Sequence, residues 1–317
     1  MNQTGSPVQE FVLAGIPGFG DEESRRIFFA VFLTAYLFIL LWNFLLIFIF
    51  SSDKSLHTPM YVLVCGLAIL DIVLATNIIP GILVLFRFGS RSVSFTACFT
   101  QMFFFFSLFF SESFLLGLMA YDRYIAICHP LHYPNLMDNT RILKLMVGCW
   151  LTACLCSTII VALTLRFPFC GPNKIVQCVC DFSSVLSLAC GNILTTSYIG
   201  LTIALSVLAF PMMYIVFSYV KIISSVLKIA TSEGRMKAFY TCGTHMLVIS
   251  IFYFVASAVI ISYRIPGTSV DMRIIGILFH NIFPTLTNPV IYCLRTKEIR
   301  DSLFKTLKKG RILPKSL

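Results

Sequence analysis

A chain of 317 residues with 58% hydrophobic and 12% charged side chains is not an ordinary soluble domain, in which about a quarter of residues would be charged. A soluble bundle of buried helices would also need polar outer faces, and the long apolar runs here lack them. The net charge of +10 gathers beside the inferred membrane, where anionic lipid attracts it, and gives no ground for expecting nucleic acid.

In chain order, residues 1–26 form an N-terminal segment expected outside the cell. Asn2-Gln3-Thr4 is its glycosylation sequon. No apolar core followed by a small-residue cleavage site precedes residue 27, so the first span is expected to act as its own insertion signal. Seven apolar runs follow, at 27–50, 59–86, 98–121, 145–165, 195–220, 238–263 and 274–294. Each reaches the roughly 20 residues that cross a bilayer as a helix. The fold class is therefore all-α, a seven-helix transmembrane bundle over residues 27–294. In the last segment, 295–317, Ile299, Leu303 and Leu307 recur at four-residue spacing beside Phe304 and among Lys and Arg. That pattern predicts a short amphipathic helix along the inner membrane surface.

Orientation follows from the basic residues. With the N-terminus outside, 16 of the 24 Lys and Arg fall on the cytoplasmic side, as the positive-inside rule requires. Of the twelve cysteines, Cys98, Cys170, Cys178, Cys180 and Cys190 then lie at the outer end, where disulfides persist. Five is odd, so one is left over or pairs elsewhere. The loop at 166–194 carries four of them with Pro168, Gly171 and Pro172, and is expected to be folded by crosslinks and not by an apolar core. Cys178-Val179-Cys180 has no companion pair at zinc-binding spacing. Pro80, Pro211, Pro284 and Pro289 lie inside spans, where neighbouring helices can satisfy the freed carbonyls.

Ionisable residues within spans are costly and mark function. Asp71 lies midway along the second span and Glu112 toward the inner half of the third. If they face one another, both cannot stay charged without a cation or a shared proton. A sodium ion or a joint proton would resolve this; the alternative is two neutral acids bonded to Asn or Ser, with Asn288 a candidate. No other cofactor or metal is called for. Asp122 and Arg123 close the third span at the inner face, where an ion pair between neighbours would hold Arg123 aside and its release would free five donors. Asn288-Pro289-Val290-Ile291-Tyr292 puts a proline bend beside a tyrosine that could swing.

With these residues in view, the chain resembles the rhodopsin-like G-protein-coupled receptors and, within them, the odorant receptors. The likeness spans residues 8–309 and rests on "LHTPMY" (56–61), "MAYDRYIAICHPLHYP" (119–134), "SYVKI" (218–222), "KAFYTCGTHM" (237–246) and "NPVIYCLRTKEIR" (288–300). "GIPG" (15–18) resembles the class I branch. The resemblance implies that Arg123 is the conformational latch that meets a G protein, with Tyr219, His245 and Tyr292 as further inner switch positions. It implies disulfides between Cys98 and Cys180 and between Cys170 and Cys190, leaving Cys178 unpaired. It further implies a stimulatory olfactory G protein, a rise in cyclic AMP, and residence in the plasma membrane of olfactory neuron cilia. Two departures stand out: Trp42 replaces a usual Gly before Asn43, and "QCVCD" (177–181) replaces a usual His-Phe-Phe-Cys-Asp.

At about 1.5 Å per residue, positions on the third, fifth and sixth spans converge at one depth in the outer half. The expected cavity walls are Phe105, Phe106, Phe109, Ile203, Tyr253, Ser257 and Ile260, suited to a small, largely apolar odorant. Phe-rich stretches also suit lipid-facing or core packing. Arg264, near the outer mouth, can point inward to pair with a carboxylate or snorkel to water. Enzyme, retinal-pigment and transporter readings lack, respectively, clustered His and Asp ligands, a lysine in 274–294, and paired repeats.

Overall fold

A computed structural model describes residues 8–170, 172–227, 232–262, 265 and 267–312. Among the described residues, seven long helices are apolar enough to cross a membrane: α1 (Glu22–Ser52), α2 (Pro59–Phe88), α3 (Phe95–Cys128), α4 (Asn139–Leu165), α5 (Leu194–Val226), α6 (Ser232–Ser262) and α7 (Val270–Arg295). An eighth helix, α8 (Lys297–Ile312), follows as expected. The helices extend past the apolar runs because capping, not hydropathy, ends them. Asp21 accepts from Ser24 N–H at 2.8 Å and so starts α1 five residues before the apolar run. Gly89, at φ 80°, stops α2 in the left-handed conformation that glycine adopts without strain.

The third helix is the axis of the bundle. Of its most apolar window 78% is buried, against 17% in α4, whose Leu143, Val147, Trp150, Leu151 and Leu155 are exposed. Exposed large apolar side chains on the spans are what a lipid environment permits. Gly117 brings α3 against α5, where a Cβ would sit 3.2 Å from Pro211. Helix α8 docks through Ile299, which lies among Leu46, Ile49 and Tyr61, while Phe304 remains exposed. The Leu303 side chain is half-buried; that of Leu307 is not among those described.

The outer end carries an element that composition does not disclose, a three-stranded sheet in the order β2-β1-β3. Strand β1 (Glu10–Leu13) runs antiparallel to β2 (Arg91–Ser94) and parallel to β3 (Lys174–Ile175). The N-terminal segment is thus stitched to two outer loops. Its Phe11 is fully buried, with the rings of Phe95 and Phe169 centred 5.8 and 5.7 Å away. This corrects the reading of the 166–194 loop as held by crosslinks alone. The disulfides Cys98–Cys180 and Cys170–Cys190 are present, but Ile175, Val179, Phe182, Val185 and Leu186 give the loop an apolar core as well. Cys178 is free and buried, and burial pushes its thiol up to about 12.

Candidate functional site

The outer half of the bundle holds a partly open cavity of about 150 Å³. Its size is close to that of apolar cavities which hold a benzene-sized molecule (~150 Å³). Phe105, Phe106, Phe109 and Ile260 line it, as expected. Three other expected wall residues fall elsewhere, because a helix that is apolar on every side gives no signal for which face turns inward. Ile203 is half-buried, while Gly200, Leu201 and Ala204 supply the α5 wall. Ser257 is exposed on α6, and its neighbour Ala256 faces the cavity instead. Tyr253 is buried beneath it. Arg264 and Asn2 lie outside the described residues.

The structure adds walls that sequence reasoning missed. Phe182 comes from a short helix in the outer loop (Phe182–Leu186) and packs so close to α5 that a Cβ on Gly200 would sit 2.5 Å from its ring. Asp181 starts that helix by accepting from Ser183 N–H at 2.8 Å, Ser184 N–H at 3.1 Å and Ser184 Oγ at 2.6 Å. Burial raises its carboxyl above the ordinary value of 3.8, against these hydrogen bonds. On α7, His280 and Asn281 reach the cavity. A polar pair inside the apolar run "IIGILFHNIF" (274–283) was the available signal.

Below the cavity, polar contacts descend α3. Ser113 Oγ donates to Val207 O at 2.9 Å, which leaves the Tyr253 hydroxyl to donate to Ser113 Oγ at 3.0 Å. Helices α3, α5 and α6 are thereby joined one turn beneath Phe109. Beside them, Asn288 donates its amide to Asp71, at 3.3 Å to Oδ2. Asp71 and Glu112 are both buried and close enough to interact electrostatically. Glu112 Oε1 has no hydrogen-bond partner within the protein. The oxygen-rich pair fits a hard cation or a joint proton. Asn288 turns its N–H toward Asp71, which accepts it whether the carboxyl is ionised or neutral. Among the described residues no three His, Cys, Asp or Glu side chains assemble at metal-binding range.

Ten residues further along α3, roughly 15 Å, lies the Asp122–Arg123 pair. The ion pair is long, 3.8 Å from Arg123 Nε to Asp122 Oδ2. The other carboxylate oxygen is taken by Tyr133, whose hydroxyl donates at 2.9 Å. Tyr133 stands in the quoted motif at 119–134 but was not recognised as a partner, since contact across a loop is not encoded in spacing. Burial, with the adjacent Asp122, pushes the Tyr133 phenol above its ordinary range. Around Arg123 gather Tyr219, His245 and Tyr292, all buried and within its electrostatic reach. Tyr292 Oη and His245 Nδ1 are 3.5 Å apart. Arg123 Nε, Asp122 Oδ2 and Tyr219 Oη make no hydrogen bond. Pro289 lies in the same helix, between Asn288 and Tyr292.

An apolar chamber at one end, a loosely held guanidinium at the other and a polar ladder between them form the architecture of a signalling receptor. The family model for olfactory receptors matches residues 32–310. Olfactory receptor 11H6 of Homo sapiens is 39% identical over 308 residues, covering 96% of this chain and 92% of that protein. Olfactory receptor 2AT4 of Homo sapiens is 38% identical over 305 residues, covering 96% and 94%. Olfactory receptor 1M1 of Mus musculus is 35% identical over 308 residues, covering 97% of each. The chain belongs to the olfactory receptor family: it is a multi-pass plasma-membrane G-protein-coupled receptor for odorants, and not an enzyme.

Proposed function

We propose that this receptor binds a small, largely apolar odorant in the outer cavity and activates the stimulatory olfactory G protein, raising cyclic AMP in the cilia of olfactory neurons. The observation that carries the reading is the alignment along α3 of cavity wall, polar ladder and latch, at Phe109, Ser113 and Arg123. Ligand contact at Phe109 reaches Phe252 on α6 directly, with ring centroids 5.5 Å apart, next to the Tyr253 hydroxyl that ties α6 to α3. Displacing α6 separates His245 from Tyr292 and uncovers Arg123 to the G protein. In the closed state, a sodium ion or a proton held jointly by Asp71 and Glu112 neutralises the pair. The basic residues of the inner surface and α8 meet anionic lipid, with the N-terminus outside. A carboxylic-acid odorant would rely on Arg264, outside the described residues; none of the described cavity walls is cationic.

The test is a panel of volatile alcohols, aldehydes, acids and amines applied to receptor-expressing cells with a cyclic-AMP reporter. A rise with at least one compound is expected. It should vanish in host cells deleted for the stimulatory α subunit and return when that subunit is restored. A response that survives the deletion would assign a different G protein.

A further inference from the structure

Gly200 lies near the outer end of α5 on ordinary helical backbone. Nothing in the local conformation calls for glycine there: positive φ is confined to Gly15, Gly89, Gly191 and Gly267 among the described residues, and alanine is the better helix former. The reason lies across the gap to the outer loop. The three atoms nearest to a Cβ built on Gly200 all belong to the Phe182 ring, with Cε1 and Cζ at 2.5 Å and Cδ1 at 3.3 Å. A side chain at position 200 and the ring in its present place exclude one another.

The backbone that carries the ring has little freedom to retreat. Asp181, beside it, accepts three hydrogen bonds from Ser183 and Ser184, and the Cys98–Cys180 disulfide anchors the chain two residues earlier. Val185 and Leu186, on the same short helix, are fully packed in the apolar core of the loop. A methyl group at position 200 is therefore answered by the ring, which turns about its own side-chain bonds. Phe182 and Gly200 both line the chamber, so the open space that they share is where the ring goes.

We propose that Gly200 sets the upper size of the odorant: the empty place of its side chain seats the Phe182 ring against α5 and keeps the chamber open for a single-ring apolar molecule. The proposal rests on reading this cavity as the odorant site. A chamber of about 150 Å³ is near the size that takes benzene, so a wall displaced by the width of a methyl group removes a large share of it. Each methylene that fits adds about fourfold in affinity through burial, and the first that does not fit brings strain instead. The pair at 182 and 200 thus fixes where, along a homologous series, the rise turns into a fall.

Benzene, toluene, ethylbenzene, propylbenzene and butylbenzene form such a series. Each is applied to the full receptor, with thermal stabilisation of the purified protein as one readout and cyclic AMP in cells as the other. In the wild type, potency is expected to rise about fourfold per added carbon up to a limit and then to fall. Gly200→Ala should lower that limit by one carbon or more while benzene still stabilises the variant, which also shows that it folds. Phe182→Leu removes the two closest ring atoms and should raise the limit. Adding Gly200→Ala to Phe182→Leu should not bring it down again, because the partner of the clash is gone. A merely structural loosening would weaken all five compounds alike and leave the limit in place. That result, a limit lowered equally in both backgrounds, a limit not raised by Phe182→Leu, or no stabilisation of the wild type by any of the five would overturn the proposal. Ile260→Trp, which fills the chamber from α6, separates the two readings. Responses that survive it unchanged would remove the chamber as odorant site and this proposal with it. Loss of all five there, with an unmoved limit in Gly200→Ala, would overturn this proposal alone. Stabilisation without cyclic AMP would defeat the signalling reading and leave this proposal standing.

Discussion

The outer and inner ends of this receptor are held together by different kinds of bond. At the outer end, two disulfides, a three-stranded sheet and an aromatic cluster around Phe11 fix the N-terminal segment to the 166–194 loop, whose Asp181, Phe182 and Ser183 line the cavity. Among the described residues of the inner end, the contacts around Arg123 are polar: 3.8 Å to its neighbour Asp122, 2.9 Å from Tyr133 to Asp122, and 3.5 Å between Tyr292 and His245. Covalent and strand-paired elements do not exchange partners on a signalling timescale, whereas weak polar contacts between helices do. The difference teaches where motion belongs. On the proposed mechanism the chamber keeps its shape while the far end gives way.

Four substitutions probe that contrast. The largest effect is expected from Cys98→Ser. Opening a crosslink between residues 82 apart releases about 4.5 kcal/mol of chain entropy into the unfolded state on the loop-closure account. Surface expression should fall to background, as read by antibody staining of an N-terminal tag. Cys170→Ser opens a crosslink between residues only 20 apart and should cost about 3 kcal/mol, giving a receptor that reaches the surface but inactivates at lower temperature. The reverse order of severity would contradict the account of the outer end.

A smaller effect attaches to Asp181. A carboxyl whose folded-state pKa is raised favours the folded loop when protonated, so that contribution is full below the ordinary 3.8 and fades as pH rises through the folded value. Thermal inactivation of the wild type should therefore occur at lower temperature as pH climbs from about 4 toward neutrality, and Asp181→Asn should flatten the slope. Equal slopes would remove the carboxyl from the explanation. The smallest change in stability belongs to the inner end. Tyr133→Phe deletes one hydrogen bond to Asp122, worth about 1 kcal/mol, yet it should raise basal cyclic AMP about fivefold because the lost contact holds the latch. Unaltered basal signalling at equal surface expression would show that Tyr133 only packs.

The contrast between the two ends also governs what the sequence discloses. The spans were legible because hydropathy alone separates membrane from water, and the inner motif because charge is rare in such a chain. The amphipathic α8 was legible for the same reason: polar and apolar residues alternate there with a helical period. Helix rotation was not. Ser257 and Ile203 were assigned inward on spans whose every face is apolar, and nothing in composition distinguishes Ser257 from Ala256. The sheet was hidden because its strands are two to four residues long and pair with residues far away in the chain, as Glu10 pairs with Ser94 and Val12 with Lys174. Tyr133 was hidden by a loop, and the polar pair on α7 by the apolar run around it.

The most direct measurement compares Arg123→Ala with the wild type in two assays on the same odorant: thermal stabilisation of the purified receptor and cyclic AMP in cells. If one guanidinium at the inner mouth turns occupancy of the chamber into a signal, the variant will bind as the wild type does and raise no cyclic AMP. A variant that still signals at equal surface expression would contradict it.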